Sequence, residues 1–497
     1  MAGRRKFDVA VVGGGAAGCV VAARLSEYTS RAVVLLEAGP DLRTDLPDEI
    51  RDGWHMTRQF DWGFTSEPDE LGVVLDLRRV RLVGGTSSIT RFALRGSPAD
   101  YDEWADLGNA GWGFDDVLPY LKRLETDTDF PDRPWHGTRG PIPISRYRDL
   151  ERTEIHAALV RAIEAAGFPS VEDHNRPGTI GVGPMPMNAS EGNRVSTAVA
   201  YLPVGGTPLN LTIQPDAQVA DVVFQGTRAT GVRLVDGTVI EAGKVVLCAG
   251  TYGSPPILMR SGIGPADHLR SVGIPVRLDL PGVGANLTDH PETALDSGYR
   301  GATRTTPLLH SAATFHSAEA STDGPPDLMF WVADPAPAGS DPQLEIEIVL
   351  LKPRSRGSVR LRSADPADPP RIELPNFRDR SDLERLAEGY RLARDVASQP
   401  AIRALCEDPL PPEIVDHDEL LRTVRAAGYS IPHVVGTCAM GPSPDGDAVV
   451  DGSGRVHGTE GLYVVDASIM PTVPSGFTHI PTIMIAERLS EQIAALI

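Results

Sequence analysis

Apolar residues fall along the chain in runs of several kinds. Val9 to Val12 and Val33 to Leu36 are short, β-rich and continuous, so each reads as a buried strand. Between them, "GGGAAGCVVAARLSE" has glycines and then small apolar residues, the pattern of a tight turn opening a helix. "VVLCAG" (245–250) reads as another strand, ending in glycine. Further on, "LEIEIVLL" (344–351) and "GSVRLRS" (357–363) alternate apolar with polar positions, which suits a sheet with one face toward a cavity. A Pro-rich break, "MFWVADPAPAGSDP", precedes them, and "DLERLAEGYRLARDVASQ" (382–399) reads as a helix. Residues 300–326, rich in Thr, Ser and Ala, read as a mobile lid or loop. At the end, "PTIMIAERLSEQIAALI" (481–497) reads as a helix, with Ile485, Leu489 and Ile493 at four-residue spacing. Pro481 is near its first turn, where no N–H donor is lost.

Length changes this picture first. At 497 residues the chain is too long for one core and implies two or three domains. Its formal net charge of −20 repels nucleic acid and anionic lipid, which are excluded as partners. Cys19, Cys248, Cys406 and Cys438 are far apart, with no CxxC or zinc-type spacing. That is the usage of a reducing cytoplasm, with no metal site expected. The basic start and the apolar run after it mimic a signal peptide. Asp8 and the glycines interrupt such a core, and no other stretch approaches the ~20 apolar residues of a membrane span. A cytoplasmic protein without a membrane span is the expectation.

Gly13, Gly15 and Gly18 form a G-x-G-x-x-G with Ala16 and Ala17 inside it. Gly13 would make the turn, Gly15 would let backbone approach a pyrophosphate, and Gly18 would let helix and strand pack closely. The helix start offers free N–H groups and a positive dipole end to phosphates. Glu37 ends the second apolar run 19 residues after Gly18, placed to accept hydrogen bonds from a ribose. Its charge disfavours a 2′-phosphate, so FAD or NAD is preferred over NADP.

"DWGFTSEP" (61–68), "RRVRLVGGTSSIT" (78–90) and "LRGSPADYDEWADLGNAGWGFDDVLPYLKRLE" (94–125) add a second kind of evidence. With "GTYGSPPILMRSGIG" (250–264), "LPGVGANLTDHP" (280–291), "LLKPRSRGSVRLRSADP" (350–366), "GTCAMG" (436–441) and "GLYVVDASIMPTVPSG" (461–476), the chain resembles the glucose–methanol–choline (GMC) flavoprotein oxidoreductases. The resemblance implies an α/β fold: a Rossmann-like FAD-binding domain and a substrate domain built on an antiparallel sheet covered by helices. It implies a discontinuous FAD domain of residues 1–145, 195–290 and 430–497, with 146–194 and 291–429 forming the substrate domain. Besides the first glycine turn and Glu37, it assigns Ala38, Arg81, Gly84, Gly85, Thr86, Ser88, Thr90, Val219, Asp466, Ala467, Pro481 and Thr482 to the cofactor. Gly84 and Gly85 would let backbone lie flat against a planar ring. Val219 would contribute backbone near the adenine. Thr90 stands where many members have Asn. Ile89 stands where some choline-oxidising members link FAD through a histidine, so non-covalent FAD is expected. The stretch from Gly85 to Arg95 is one residue short of the family pattern. Arg91 lies in it and is expected to face solvent, an anionic substrate group or the flavin being the alternatives.

His433 and His479, 46 residues apart, match the family's two catalytic positions. Oxidising an alcohol moves a hydride from the α-carbon to flavin N5 and removes the hydroxyl proton. A neutral imidazole can accept that proton near pH 7, and a second group can orient the substrate oxygen. His433 is read as the base and His479 as its positioning partner, though the roles can be exchanged. His136, His290 and His457 are read as structural members of loops, while His310 and His316 could face the substrate. The terminal helix start would direct its positive end at the reduced ring. The expected activity is oxidation of a small alcohol to an aldehyde or ketone. A dehydrogenase is preferred over an oxidase, with a quinone, a redox carrier such as mycofactocin, or O2 as acceptor. The same architecture also hosts lyases and a decarboxylase.

Overall fold

Val9, Ala10, Val11 and Val12 are shut away from water because the strand they form, Lys6–Val12, lies inside a sheet between two parallel neighbours. This computed structural model describes residues 6–52, 58–146, 153–301, 303, 309–333, 343–374, 377–407 and 413–497. The sheet runs Leu211–Gln214, Val33–Leu36, Lys6–Val12, Val239–Leu247, Arg228–Leu234, Val219–Gln225. Leu462–Val464 pairs in parallel with the end of Val239–Leu247. The first four strands are parallel to one another, and the last two form antiparallel hairpins. The helix Ala16–Tyr28 crosses over from the first strand, as in a dinucleotide-binding unit.

A second sheet is wholly antiparallel: Tyr429–Val435, Thr288–Gly298, Gln343–Leu350, Leu328–Ala333, Leu309–Phe315, Gly181–Pro184. The α/β class with an antiparallel, helix-covered second sheet is thus as expected from the sequence. The alternation in "LEIEIVLL" is realised directly. Leu344, Ile346, Ile348 and Leu350 pack with the helices Arg380–Ala397 and Glu154–Ala165. The intervening Val349 joins a smaller apolar cluster with Met329, Trp331, Ile431, Phe92 and Phe477 on the other face. The expected divides at 290 and 430 fall inside Thr288–Gly298 and Tyr429–Val435, which are neighbouring strands of the second sheet.

Two expectations change. Leu309–Phe315 is a sheet strand, so those residues are no lid; Ala312 and Ala313 are fully buried in it. Residues 304–308 and the Pro-rich break at 334–342 lie outside the described residues, as does the His310 side chain. The terminal helix, His479–Ala494, starts two residues earlier than its sequence pattern suggests and is buried nearly all round. It packs between Ala16–Tyr28 and Phe114–Leu124, so its polar Glu487 is enclosed along with its apolar stripe. Among the described residues, no helix is long and apolar enough to cross a membrane.

Candidate active site

The first glycine turn is dictated by close contacts. Gly13 has φ +96°, and a Cβ there would be 2.6 Å from the Cys248 carbonyl oxygen. At Gly18 a Cβ would lie 1.8 Å from the Gly13 carbonyl oxygen, so helix and strand meet only because it is glycine. Gly15 caps the helix with no side chain, leaving Ala16, Ala17 and Gly18 to present unpaired N–H groups. The nearest atom to a Cβ on Gly15 is Gly85 Cα at 4.0 Å, so space is open beside it. Open space and free donors at a helix N-terminus fit a pyrophosphate.

Glu37 is 5% exposed and bridges this turn: Gly14 N donates to its Oε2 (2.6 Å) and Gly39 N to its Oε1 (2.8 Å). Burial pushes its carboxyl up to about 7, against the pull of those donors. Each oxygen keeps the capacity to accept a further hydrogen bond. Arg81 Nε donates to the Ala38 carbonyl (3.2 Å), and its guanidinium lies over Trp62. Gly84 N donates to Gly14 O (2.7 Å), joining the block 84–90 to the turn. Gly85 is also required by the fold itself: with φ +50°, its Cβ would be 2.6 Å from Gly15 Cα. Ser88 is buried and Thr86 and Thr90 are half-buried in the same block. The turn, Glu37, Ala38, Arg81 and the block 84–90 therefore converge.

The other assigned residues lie on separate elements. Val219 is buried at the start of its strand. Asp466 accepts from Ser254 Oγ (2.6 Å), Gly250 N (2.9 Å) and Ser468 N (2.8 Å), so its carboxylate shapes two loops, with Ala467 opening a short 3-10 turn. Pro481 and Thr482 sit in the first turn of the terminal helix, where Thr482 Oγ1 donates to Thr478 O (2.7 Å). Ile89, where some members carry the covalent link, is buried.

His433 and His479 reach the site from different elements, the Tyr429–Val435 strand and the first residue of the terminal helix. Their charges would repel one another, and no hydrogen bond joins them among the described residues. The ring that touches His433 is His290. Their Nδ1 atoms are 3.2 Å apart, and His290 Nε2 is 3.2 Å from the Pro474 carbonyl oxygen. A carbonyl only accepts, so His290 carries its proton on Nε2, and its Nδ1 must be the acceptor. His433 then donates from Nδ1, which leaves its Nε2 with a free lone pair. Both strands are pinned by Asp289: Oδ1 accepts from the N–H groups of His290 and His433 (2.8 Å each), and Oδ2 accepts from Ser430 Oγ. Burial pushes Asp289 up to about 7.

Burial sets the protonation of all three rings. It holds His433 well below the ordinary value, with His290, Arg79 and His479 adding repulsion. It brings His290 and His479 down to about 4, Arg194 contributing at His479. His479 Nε2 is buried with no hydrogen-bond partner among the described residues. The His433 ring also rests on Phe477 (4.6 Å between centroids), which stacks on Phe92 (4.7 Å). Trp331 extends this apolar wall and donates from Nε1 to Glu292 (2.9 Å).

Sequence reasoning missed His290, Asp289 and Arg194. "TDHPE" reads as a loop, whereas it opens the Thr288–Gly298 strand, whose register sets His290 opposite Ile431. Arg91 is a correction: it is 3% exposed, not solvent-facing, and donates to the Gly192 carbonyl (2.9 Å). His136 and His457 do stand among loops. His457 meets Gly441 O, and His136 lies between Glu125, Asp127 and Asp173. Burial opposes the charge on His136, but those carboxylates win and raise it. Glu125, Asp127 and His136 approach as metal ligands do, yet Arg146 and Arg95 already balance the carboxylates.

Comparison with known proteins places this geometry. Two GMC oxidoreductase family models match residues 7–292 and 353–486. A 5-(hydroxymethyl)furfural oxidase of Methylovorus sp. (strain MP688) is 36% identical over 98% of each chain. Pyridoxine 4-oxidase from Mesorbium loti superposes with a TM-score of 0.91, at 30% identity over 98% of each chain. An Aspergillus oryzae RIB40 formate oxidase variant, studied for its FAD modification, superposes with a TM-score of 0.91 at 25% identity, covering 100% of this chain and 99% of its own. The chain belongs to the GMC oxidoreductase family, and its cofactor is FAD.

Proposed function

We propose that the protein oxidises a small alcohol to an aldehyde or ketone, with His433 as the base that takes the hydroxyl proton. The observation that carries this is the chain His433 Nδ1, His290 Nδ1, His290 Nε2, Pro474 O, which leaves Nε2 of His433 as an acceptor. The glycine turn 13–18, Glu37, the block 84–90 and the first turn of the terminal helix would hold FAD, without a covalent link at Ile89. Bound FAD supplies the acceptor for the hydride that leaves the α-carbon. His433 Nε2 takes the proton from oxygen as the carbonyl forms. His479, whose Nε2 has no other partner among the described residues, orients the substrate oxygen. Phe92, Phe477 and Trp331 give the substrate an apolar wall. The positive end of the terminal helix, which begins at His479, favours negative charge on the ring.

The acceptor of the reduced cofactor is read as a quinone or redox carrier, in a dehydrogenase of the reducing cytoplasm that four separate thiols suit. Oxygen is the second reading, favoured by the similarity to a furfural-alcohol oxidase and a pyridoxine oxidase. Mixing the yellow protein anaerobically with a panel of primary and secondary alcohols tests the function. At least one should bleach the flavin; re-oxidation by oxygen, quinone or dye then identifies the acceptor. An unbleached flavin across the panel, with turnover of another kind, would favour lyase or decarboxylase chemistry.

The pH dependence of that bleaching has a defined sign. His433 acts as a base only when neutral, and burial favours its neutral form. The reduction rate should stay level from pH 8 down through ~6.5 and fall only in more acid solution. The same groups act on stability. His290 and His479 have folded values of about 4, below an unfolded value of ~6.5. Their contribution is full above ~6.5 and is lost as pH falls toward 4. A reduction rate that halves between pH 8 and ~7 would count against a base held neutral by its surroundings.

A further inference from the structure

Arg194 is 4% exposed. Its Nη1 donates to the carbonyls of Ile50 (2.7 Å) and Ser88, and its Nη2 to that of Ile89 (3.1 Å). Nε has no partner, and no carboxylate lies within ion-pair distance of the guanidinium among the described residues. Four other enclosed cations of this fold are compensated differently. Lys352 meets Asp100 and Glu103, Arg146 meets Asp127 and Asp173, Arg385 meets Asp382 and Asp327, and Arg488 lies over the Trp112 and Tyr120 rings. The strongest charge acting on Arg194 is instead another cation, the buried Arg91, with Asp52 opposing it more weakly. A buried cation beside a like charge is costly unless an anion completes the site, and a bound anionic cofactor can do so. Its place in the fold says which anion. Ser88 and Ile89 end the block that starts at Gly84 and Gly85, and that block is hydrogen-bonded to the first glycine turn. Thr197, on the same segment as Arg194, clamps the block's middle through Ser87 (2.9 Å).

We propose that Arg194 is the buried counter-charge of the flavin, a cation held by backbone carbonyls so that its field favours negative charge on the isoalloxazine. No direct contact needs to form between them; the guanidinium acts through a medium of low dielectric, where a charge is felt over several ångströms. The reach is visible at His479, where Arg194 adds to the effect of burial. This reading rests on FAD as cofactor and not on the alcohol chemistry.

Sulfite is the probe, because it adds to oxidised flavin and leaves the ring anionic without any substrate. In the FAD-loaded protein, Arg194→Gln should weaken sulfite binding by roughly tenfold or more. Arg194→Lys keeps the charge but loses the planar fork, and should stay within about threefold of the parent. A Gln variant that binds sulfite as the parent does would overturn the proposal. So would a Lys variant as weak as Gln, since that outcome assigns Arg194 to hydrogen bonding alone. If the Gln variant fails to hold FAD, the Lys variant decides: parent-like affinity supports the counter-charge, and weakened affinity rejects it.

Discussion

His433→Ala should slow anaerobic flavin reduction by an alcohol substrate by about 10²–10⁴-fold, the usual range for a positioned general base. FAD should stay bound, because no contact within the cofactor cradle passes through this ring; its partners are His290 and Phe477. The effect is large because nothing nearby can take over. His290 has its Nε2 proton committed to Pro474 O and its Nδ1 lone pair turned to His433. His479 sits on a different element, with no hydrogen bond to either ring among the described residues. Rapid-mixing absorbance at the flavin band measures the rate directly. The same measurement on His479→Ala sorts the two roles. If His479 only orients the oxygen, its loss is the smaller one, and the acid limb set by His433 is kept. A His433→Ala enzyme that reduces its flavin at near-parent rates would end the assignment.

What the sequence shows about this site divides by distance along the chain. The glycine turn and Glu37 are legible because their spacing is local: Gly18 answers to Gly13 and Glu37 closes on Gly14 and Gly39, all within one βαβ unit, although the atom that crowds Gly13 belongs to the distant Cys248. The substrate-side sheet is legible at "LEIEIVLL" because a period of two needs only that segment. The His290–His433 contact is not. It joins residues 143 positions apart, and depends on the register of two antiparallel strands and on a carbonyl from a third segment. Arg91 reads as an ordinary surface arginine until the 192–197 segment is seen folded over it. Leu309–Phe315 is too rich in small residues to announce a strand, yet small residues are what the close packing of Ala312 and Ala313 requires. Gly85 stands out in the sequence, but the atom that demands it belongs to Gly15, seventy residues away.

The terminal helix supplies the second large effect. Glu487→Ala should destabilise the protein by about 3–5 kcal/mol, the cost of leaving a buried charge without its partner. Glu487 is fully buried. It receives Arg24 through Nε (2.9 and 3.0 Å) and Nη2 (2.8 Å), and Tyr201 donates to it through its hydroxyl (2.7 Å). Removal leaves the largely enclosed guanidinium with only the half-exposed Glu27 (2.6 Å from Nη1) and strands a buried hydroxyl. The Arg24→Met/Glu487→Met double variant should recover much of that loss, since a buried ion pair is often replaceable by well-packed apolar groups. Chemical denaturation followed by circular dichroism distinguishes the three proteins. The consequence extends to the site because the helix is one rigid body. His479 is eight residues from Glu487, about 12 Å along the axis. Arg24 belongs to the helix that begins at the glycine turn, so this ion pair ties together the two helices whose starts are proposed to face the cofactor. A single variant that loses less than ~1 kcal/mol would place the pair with ordinary surface salt bridges. The alignment of His479 would then have to come from the apolar packing of Ile480, Ile483 and Met484 alone.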